Sequence, residues 1–320
     1  MKILLASPID PETVVALGRD HDVLDASNAA PSELREAVAD REAVVLRSGV
    51  LLSAEVMSAA PDLRLVVRAG SGLDNIDLDC ARQRRLRVVR VPGMSAPPVA
   101  EFTFALMLSL ARKVCLADRL LRAGHWPKPQ LGGALLRGKT LGVVGAGNIG
   151  SLVGEMGHAW GMRVIGCVGE PSQDVARGLL DRGVVLADFD DVVAKADFLS
   201  LHVPLDESTH HMIDSTVLSR MAPGSMLVNV ARGGVVDEPA LYRALIEGAT
   251  VAGAALDVHE REGEGTVSQF AELPNVVLTP HIGAMALDSQ RLIGERVLQL
   301  IAAFSEGRLD PEVRHDEHVI

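Results

Sequence analysis

Three residues suited to acid–base work each lie just beyond an apolar run in the second half of the 320-residue chain. Arg232 follows Met226–Asn229, in Asn-Val-Ala-Arg-Gly-Gly. Glu262 follows Gly253–Leu256, in a polar run with Glu260 and Glu264. His281 follows Val276–Leu278, in Leu-Thr-Pro-His-Ile-Gly. Arginine holds a carboxylate with a two-pronged fork. Histidine exchanges a proton near neutral pH, and a carboxylate beside it favours its protonated form. Taken singly, these are also a turn arginine, a solvated loop acid and a satisfied histidine. What unites them is position: open α/β sheets bind ligands beyond the carboxyl ends of their strands. A cationic anchor, a carboxylate and a histidine would meet at one edge of one sheet.

Gly145-Ala-Gly147-Asn148-Ile149-Gly150 fits the pattern GxGxxG, directly after the predicted strand Leu141–Val144 and opening the predicted helix Ile149–Ala159. The first glycine makes the tight turn, the second lets backbone approach a pyrophosphate, and the third lets helix and strand pack closely. The helix N-terminus then offers N–H groups to the phosphates. A dinucleotide beside an acid–base group and a carboxylate anchor is the equipment for moving a hydride between nicotinamide and a carbonyl carbon. In the first half, Gly70, Ser71 and Gly72 follow the predicted strand Leu65–Val67. Successive N–H groups there suit an anion nest, expected to face the Arg232 group across an interdomain cleft. Arg47, after Ala43–Leu46, adds positive charge fit for a phosphate.

Short apolar runs alternate with helical patterns, the rhythm of parallel βαβ units. Strands are predicted at Lys2–Ala6, Ala43–Leu46, Leu65–Val67 and Val88–Val89, with helices around Glu12–Leu17, Leu34–Ala39 and Ala54–Ala60. A Pro/Gly-rich break at Val91–Pro98 precedes a helix over Val99–Val114, apolar on nearly every side and so buried in a domain or a subunit interface. A second rhythm places strands at Thr140–Val144, Arg163–Cys167, Val184–Leu186, Phe198–Leu201, Met226–Asn229, Gly253–Leu256 and Val276–Leu278. The last helix, Leu287–Phe304, is long enough to return to the first domain. The tail Arg308–Ile320, with His315 and His318, is expected to be a surface tail and not a metal site.

The length suits two α/β domains. With 48% apolar and 23% charged residues the composition is that of a soluble globular chain. A net charge of −11 argues against nucleic acid or anionic membrane as partner. Cys80, Cys115 and Cys167 form no CxxC pair or metal spacing, and buried, reduced thiols in a cytoplasmic protein are expected. The N-terminal apolar run is too short for a signal peptide, and no membrane span is expected.

Together these segments resemble the D-isomer-specific 2-hydroxy-acid dehydrogenases, the family of phosphoglycerate dehydrogenase and hydroxypyruvate/glyoxylate reductase. The likeness is strongest at Arg68–Asp77, Gly138–Gly150, His202–Leu205, Val228–Glu238, Gly253–Val258 and Leu278–Gly283. It implies two Rossmann-like doubly wound domains: a substrate domain of residues 1–97 plus 287–320, and an inserted NAD(P) domain of 98–286. It also implies a homodimer built on nucleotide-domain helices and a small 2-oxo or 2-hydroxy acid as substrate. By the same resemblance Arg232 binds substrate, Glu262 supports the histidine, His281 is the general acid/base, and the Gly70–Gly72 backbone holds the carboxylate. Gly145, Gly147, Asn148, Ile149, His202, Val203, Pro204, Val230, Ala231, Arg232 and His281 border the cofactor, with Asp257 near the nicotinamide amide.

The chain departs from the family pattern at four places. Gly263 follows Glu262 where proline is usual, and His259 stands where an aromatic is common. Met94-Ser95 occupies a site often taken by Asn, and Asn148 one where Arg is frequent. The usual ribose-binding acid falls on Val168, with Glu170 as nearest replacement and no Lys or Arg directly after. NAD is therefore expected, with weak discrimination against NADP. Phosphoglycerate dehydrogenase proper is the main alternative, in a form without an effector domain because the chain ends at residue 320. A non-catalytic NAD-sensing corepressor is the remote one.

Overall fold

The computed structural model describes every residue except Asn28 and His315, so the expectation for His315 lies outside the described residues. The chain forms two compact units, Met1–Ser95 with Met285–Ile320, and Ala96–Ala284. In the first, strands β1 (Lys2–Leu5), β2 (Asp22–Asp25), β3 (Ala43–Leu46), β4 (Leu65–Arg68) and β5 (Arg87–Arg90) make a sheet of order β2-β1-β3-β4-β5. Every pairing is parallel. Helices α1 (Pro11–Asp20), α2 (Pro31–Ala37), α3 (Ala54–Ser58) and α4 (Leu78–Gln83) connect the strands. Asp10, Ser53 and Asp77 cap α1, α3 and α4 through their side chains. Sequence periodicity missed β2, a sheet-edge strand whose Asp-Val-Leu-Asp is nowhere fully buried. It also missed the short helix α4.

The second unit begins with α5 (Ala96–Ala111) and α6 (Val114–Arg122). The single apolar helix expected over Val99–Val114 is thus two. Lys113 adopts a left-handed φ of +54° that ends the first, and α5 starts earlier because Pro97 and Pro98 fit its first turn. Then follow β6 (Thr140–Val144), α7 (Asn148–Ala159), β7 (Arg163–Cys167), α8 (Gln173–Asp181), β8 (Val184–Leu186), α9 (Phe189–Lys195) and β9 (Phe198–Leu201). The unit closes with α10 (Ser215–Arg220), β10 (Ser225–Asn229), α11 (Glu238–Glu247), β11 (Val251–Leu256) and β12 (Val276–Leu278). The parallel sheet runs β12-β11-β10-β9-β6-β7-β8, so the order reverses between β6 and β9. That is where such sheets bind ligands. Strands β6 and β9 are buried throughout, as both faces are covered. Phe104, Met107 and Leu110 of α5 lie against Leu141, Val143 and Phe198 on one face. Helix α7 sits close to the sheet. A Cβ at Gly157 would come within 2.7 Å of Leu141, and one at Gly154 would collide with Val184.

The chain then returns to the first unit through α12 (Leu287–Ser305) and α13 (Leu309–Glu312). Ile293, Val297, Leu300 and Ile301 of α12 join Ile3, Val45 and Val67 in one core. The tail is not the expected surface tail. Val88 and Arg90 of the edge strand β5 donate their N–H groups to Ile320 and Glu317 carbonyls at 3.0 and 2.9 Å. Glu317 is 2% exposed and takes a two-pronged contact from Arg296 at 2.8 and 2.6 Å. The physical cause is the edge itself, whose N–H groups would otherwise stand unpaired. His318 is exposed, and among the described residues no three His, Cys, Asp or Glu are placed to hold a metal. The thiols also differ from expectation: Cys167 is buried, Cys80 half-buried, and Cys115 exposed on α6. Among the described residues no helix is long and apolar enough to cross a membrane.

Candidate active site

The carboxyl edge of the second sheet collects most of the residues that the sequence marks. After β6, Gly145 takes φ +88°, and its N–H and that of Ala146 both donate to the Cys167 carbonyl at 3.0 Å. A Cβ at Gly145 would lie 2.7 Å from the His202 carbonyl oxygen, and one at Gly150 would collide with the Gly145 carbonyl. These glycines are therefore required by close backbone approach. Gly147 differs: a Cβ there would meet nothing within 4 Å, so this backbone is bare toward solvent. It is the N-cap of the 12-residue helix α7, and no side chain caps that terminus. The first-turn N–H groups of Asn148, Ile149 and Gly150 thus have no intrahelical acceptor. A bare glycine before an uncapped helix start fits the pyrophosphate of a dinucleotide.

His202 touches the glycine loop through its carbonyl. Its ring Nε2 lies 2.8 Å from Ser200 Oγ, and burial pushes its pKa down to about 3, so the ring is neutral. Val203 packs beside Gly145, and Pro204 follows it on the surface. The side chains of Val230 and Ala231 are buried in the two cores, leaving backbone as what they can offer a ligand. Glu170 stands exposed in the bend beyond β7, and Val168 packs toward the core.

Arg232, Glu262 and His281 lie in the loops after β10, β11 and β12, three adjacent strands. The buried Asn229 shapes the first loop: its side chain donates to the Arg232 carbonyl at 2.9 Å and accepts from Ala231 N–H at 3.0 Å. Arg232 itself donates to the Ala231 carbonyl at 2.7 Å. His281 adopts φ +55°, a left-handed conformation that a non-glycine residue keeps only when its surroundings dictate it. The dictating group is Asp257, 1% exposed. Its carboxylate accepts from Thr279 Oγ1, Ile282 N–H and Gly283 N–H at 2.7, 2.9 and 2.8 Å. Its carbonyl accepts from His281 N–H at 2.7 Å. Three bonds tie the Asp257 carboxylate to this loop.

His281 Nδ1 lies 2.9 Å from Glu262 Oε2. Glu262 Oε1 accepts from the His259 N–H at 3.1 Å. Burial alone would raise the Glu262 carboxyl, but the His281 hydrogen bond and charge, with the His259 N–H, bring it net below its ordinary value. The group is therefore a carboxylate at neutral pH. Gly263 takes φ +132°, which proline cannot adopt. The His259 ring lies 3.0 Å from the Thr279 carbonyl, a polar tie where the family pattern has an aromatic.

In the first unit, Arg47 follows β3. Ser7 Oγ accepts from its N–H at 2.9 Å and Asn75 donates to its carbonyl at 2.8 Å. Its guanidinium contacts Met285 Sδ at 3.2 Å, and burial lowers its pKa. Gly70 N–H donates to the Arg68 carbonyl at 2.7 Å, which removes it from the expected nest and leaves Ser71 and Gly72. Ser71 Oγ lies 3.0 Å from Ser95 Oγ. Met285 and the Ser71–Ser95 contact escaped the sequence reading, since each pairs residues distant in the chain; the loop-shaping role of Asn229 escaped it although its partners lie only two and three residues on.

Residues 104–283 match the family model for the D-isomer specific 2-hydroxyacid dehydrogenase NAD binding domain. The chain belongs to this family. It is an oxidoreductase of the class that acts on CH–OH donors, with NAD(P) as cofactor. It is 37% identical over 303 residues to a hydroxypyruvate reductase of Thermotoga maritima, covering 94% of this chain and 97% of that one. It is 39% identical over 308 residues to a D-3-phosphoglycerate dehydrogenase of Archaeoglobus fulgidus, where it spans 96% of its own length but 58% of the relative's. The solved D-lactate dehydrogenase of Aquifex aeolicus, complexed with NAD and lactic acid, superposes with a TM-score of 0.83 at 31% identity, covering 97% of each chain.

Proposed function

We propose that this family member reduces a small 2-oxo acid to the D-2-hydroxy acid, and runs the reverse reaction, with His281 as the acid–base group. The observation that carries the reading is the 2.9 Å contact of His281 Nδ1 with the Glu262 carboxylate. With the Nδ1 proton so held, Nε2 is the atom left to give a proton to the substrate's carbonyl oxygen, and the carboxylate stabilises the charged ring. Arg232 holds the substrate carboxylate by its fork, and backbone at Ser71 and Gly72 supplies further N–H groups. When bound, NAD(P)H supplies the hydride for C2. The glycine loop and the start of α7 hold its pyrophosphate, and Glu170 is placed to meet the adenosine ribose. NAD is the preferred form. Turnover of a 2-oxo-acid panel by wild type and His281→Ala tests the reading. Loss of roughly 10²–10⁴-fold, with NADH binding retained, is expected; near-normal turnover in the folded variant removes the assignment.

A second reading concerns the substrate. The half-buried Arg47 guanidinium has a thioether, not a carboxylate, as its hydrogen-bond partner among the described residues. A cation placed so favours a substrate with a second anionic group, such as the phosphorylated acid named for the phosphoglycerate dehydrogenase relatives. For assembly, we propose a homodimer through the α5–α6 surface. Leu108, Val114, Ala117 and Leu121 line an open apolar groove there, and Val114 and Leu121 are 51% and 57% exposed.

A further inference from the structure

The segment that carries Glu262 has no helix or ladder of its own. From Asp257 to Gly265 the chain runs through bends and turns, and Gly263 sits at φ +132°. Its carboxylate must nevertheless meet His281 Nδ1. Two residues before it, Glu260 ties the segment to two other loops. Glu260 Oε1 lies 2.9 Å from His211 Nε2 and accepts from the Glu238 N–H at 3.3 Å. In return, Glu260 N–H donates to Glu238 Oε1 at 2.9 Å, and Gln269 holds the other Glu238 oxygen at 3.2 Å. His211 is itself fixed. It takes a left-handed φ of +52°, its N–H donates to the Gly234 carbonyl at 2.7 Å, and its ring stacks on His210 at 4.0 Å. The backbones are packed as well: a Cβ on Gly233, next to Arg232, would collide with the His259 carbonyl.

His211 and Glu260 belong to the loops after β9 and β11, and Glu238 opens α11 directly after the loop that follows β10; the three strands are neighbours in the sheet. We propose that Glu260 is a positioning residue for the reaction: held by His211 and Glu238, it fixes the segment so that Glu262 stays on His281 Nδ1. This rests on the reading of His281 and Glu262 given above. The left-handed His211, at the far end of this chain of contacts, supports it. A non-glycine residue holds that conformation only where the surrounding structure over-determines it. Glu260 touches neither His281 nor the place of the reacting atoms, so its effect must pass through Glu262.

The test follows the His281 Nδ1–H proton by NMR in the full chain with isotopically labelled histidine and no ligand. The signal is identified by its loss in His281→Gln. Wild type and Glu260→Gln, whose amide oxygen still accepts from His211 and Glu238, should show it. Glu260→Ala should lose or broaden it, His211→Ala should weaken it, and Glu262→Ala, which has no acceptor, should abolish it. On whichever of hydroxypyruvate, glyoxylate or pyruvate the wild type reduces, Glu260→Ala should lower kcat roughly 10–100-fold, the scale of a small misplacement, with KM little changed. Glu260→Gln should restore it. NADH affinity checks the fold of each variant, and if Glu260→Ala does not fold, the contrast between His211→Ala and Glu260→Gln decides. A wild-type signal and kcat in Glu260→Ala, while Glu262→Ala has lost the signal, overturns the proposal. A signal that survives Glu262→Ala refutes the His281–Glu262 pair itself, and the positioning role falls with it.

Discussion

At the scale of single residues, geometry separates groups that offer chemistry from groups that hold others in place. Asp257 and Asn229 are buried and committed to the loops of His281 and Arg232, whereas Glu262 and His281 keep 35% and 26% side-chain exposure. Arg232 and Arg47 can be told apart by substitution. Lysine keeps the charge and loses the fork, so Arg232→Lys should cut kcat/KM strongly for every 2-oxo acid. Arg47→Lys should do so only for an acid with a second anion. Equal, mild losses at both positions across the panel would contradict the anchor role of Arg232. Cofactor choice turns on Glu170. It is exposed beyond β7, and the nearest helical cation, Arg177, faces Asp174 at 3.7 Å on the same helix. A carboxylate repels a ribose phosphate that nothing nearby clearly welcomes. We expect a modest preference for NADH over NADPH in kcat/KM, narrowed in Glu170→Ala. A wild-type preference for NADPH would defeat the NAD assignment, and an unchanged ratio in the variant would clear Glu170 of the role.

Among the elements, the tail shows how an edge strand is closed. Residues after α13 pair with β5, and Glu317 sits buried on Arg296 of α12. Burial alone raises the Glu317 carboxyl, but the Arg296 hydrogen bonds and charge, with the Arg314 N–H, bring it net below the ordinary value of 4.5. A carboxyl lowered by folding binds its proton more readily in the unfolded chain. Its contribution is therefore full above the unfolded pKa and is lost as pH falls through the folded one. Glu317→Gln, which cannot ionise, should be less stable than wild type at neutral pH. The gap in urea-derived stability should close as the solution is acidified below about pH 4.5. Glu317→Ala, which leaves the buried guanidinium without this partner, should cost about 3–5 kcal/mol. A gap between wild type and Glu317→Gln that stays constant down to low pH would show that ionisation of Glu317 is not what stabilises the fold.

For the whole molecule, the exposed Val114 and Leu121 of α6, with the half-buried Leu108 of α5 in the same groove, bear on assembly. Trp126 and Leu135, farther along the chain, are 78% and 69% exposed as well. Exposed apolar surface that is contiguous marks association sites. Light scattering should give a dimer, and Val114→Asp with Leu121→Asp should shift it toward monomer. A monomeric wild type at micromolar concentration would reject the interface. The sequence alone determined the strand–helix alternation, because buried parallel strands must be continuous apolar runs; β6, β7, β8, β9 and β12 fall where those runs lie. It also determined the glycine loop, since only glycine survives the close approach of Gly145 to the His202 carbonyl. It marked Arg232, Glu262 and His281 because such groups follow strands. What it could not determine was which polar groups bond one another inside the protein. The tail, for one, looks from the sequence like solvated chain. Only the tertiary structure decided that the Asp257 carboxylate folds the His281 loop, that Glu317 closes the β5 edge on Arg296, and that His211, Glu238 and Glu260 join three loops. The bonds of Asp257, of Glu317 with Arg296 and of Glu260 link residues about 20 to 50 positions apart, and those that tie the tail to β5 span most of the chain; no local period records any of them, and their partners are set by which strands become neighbours.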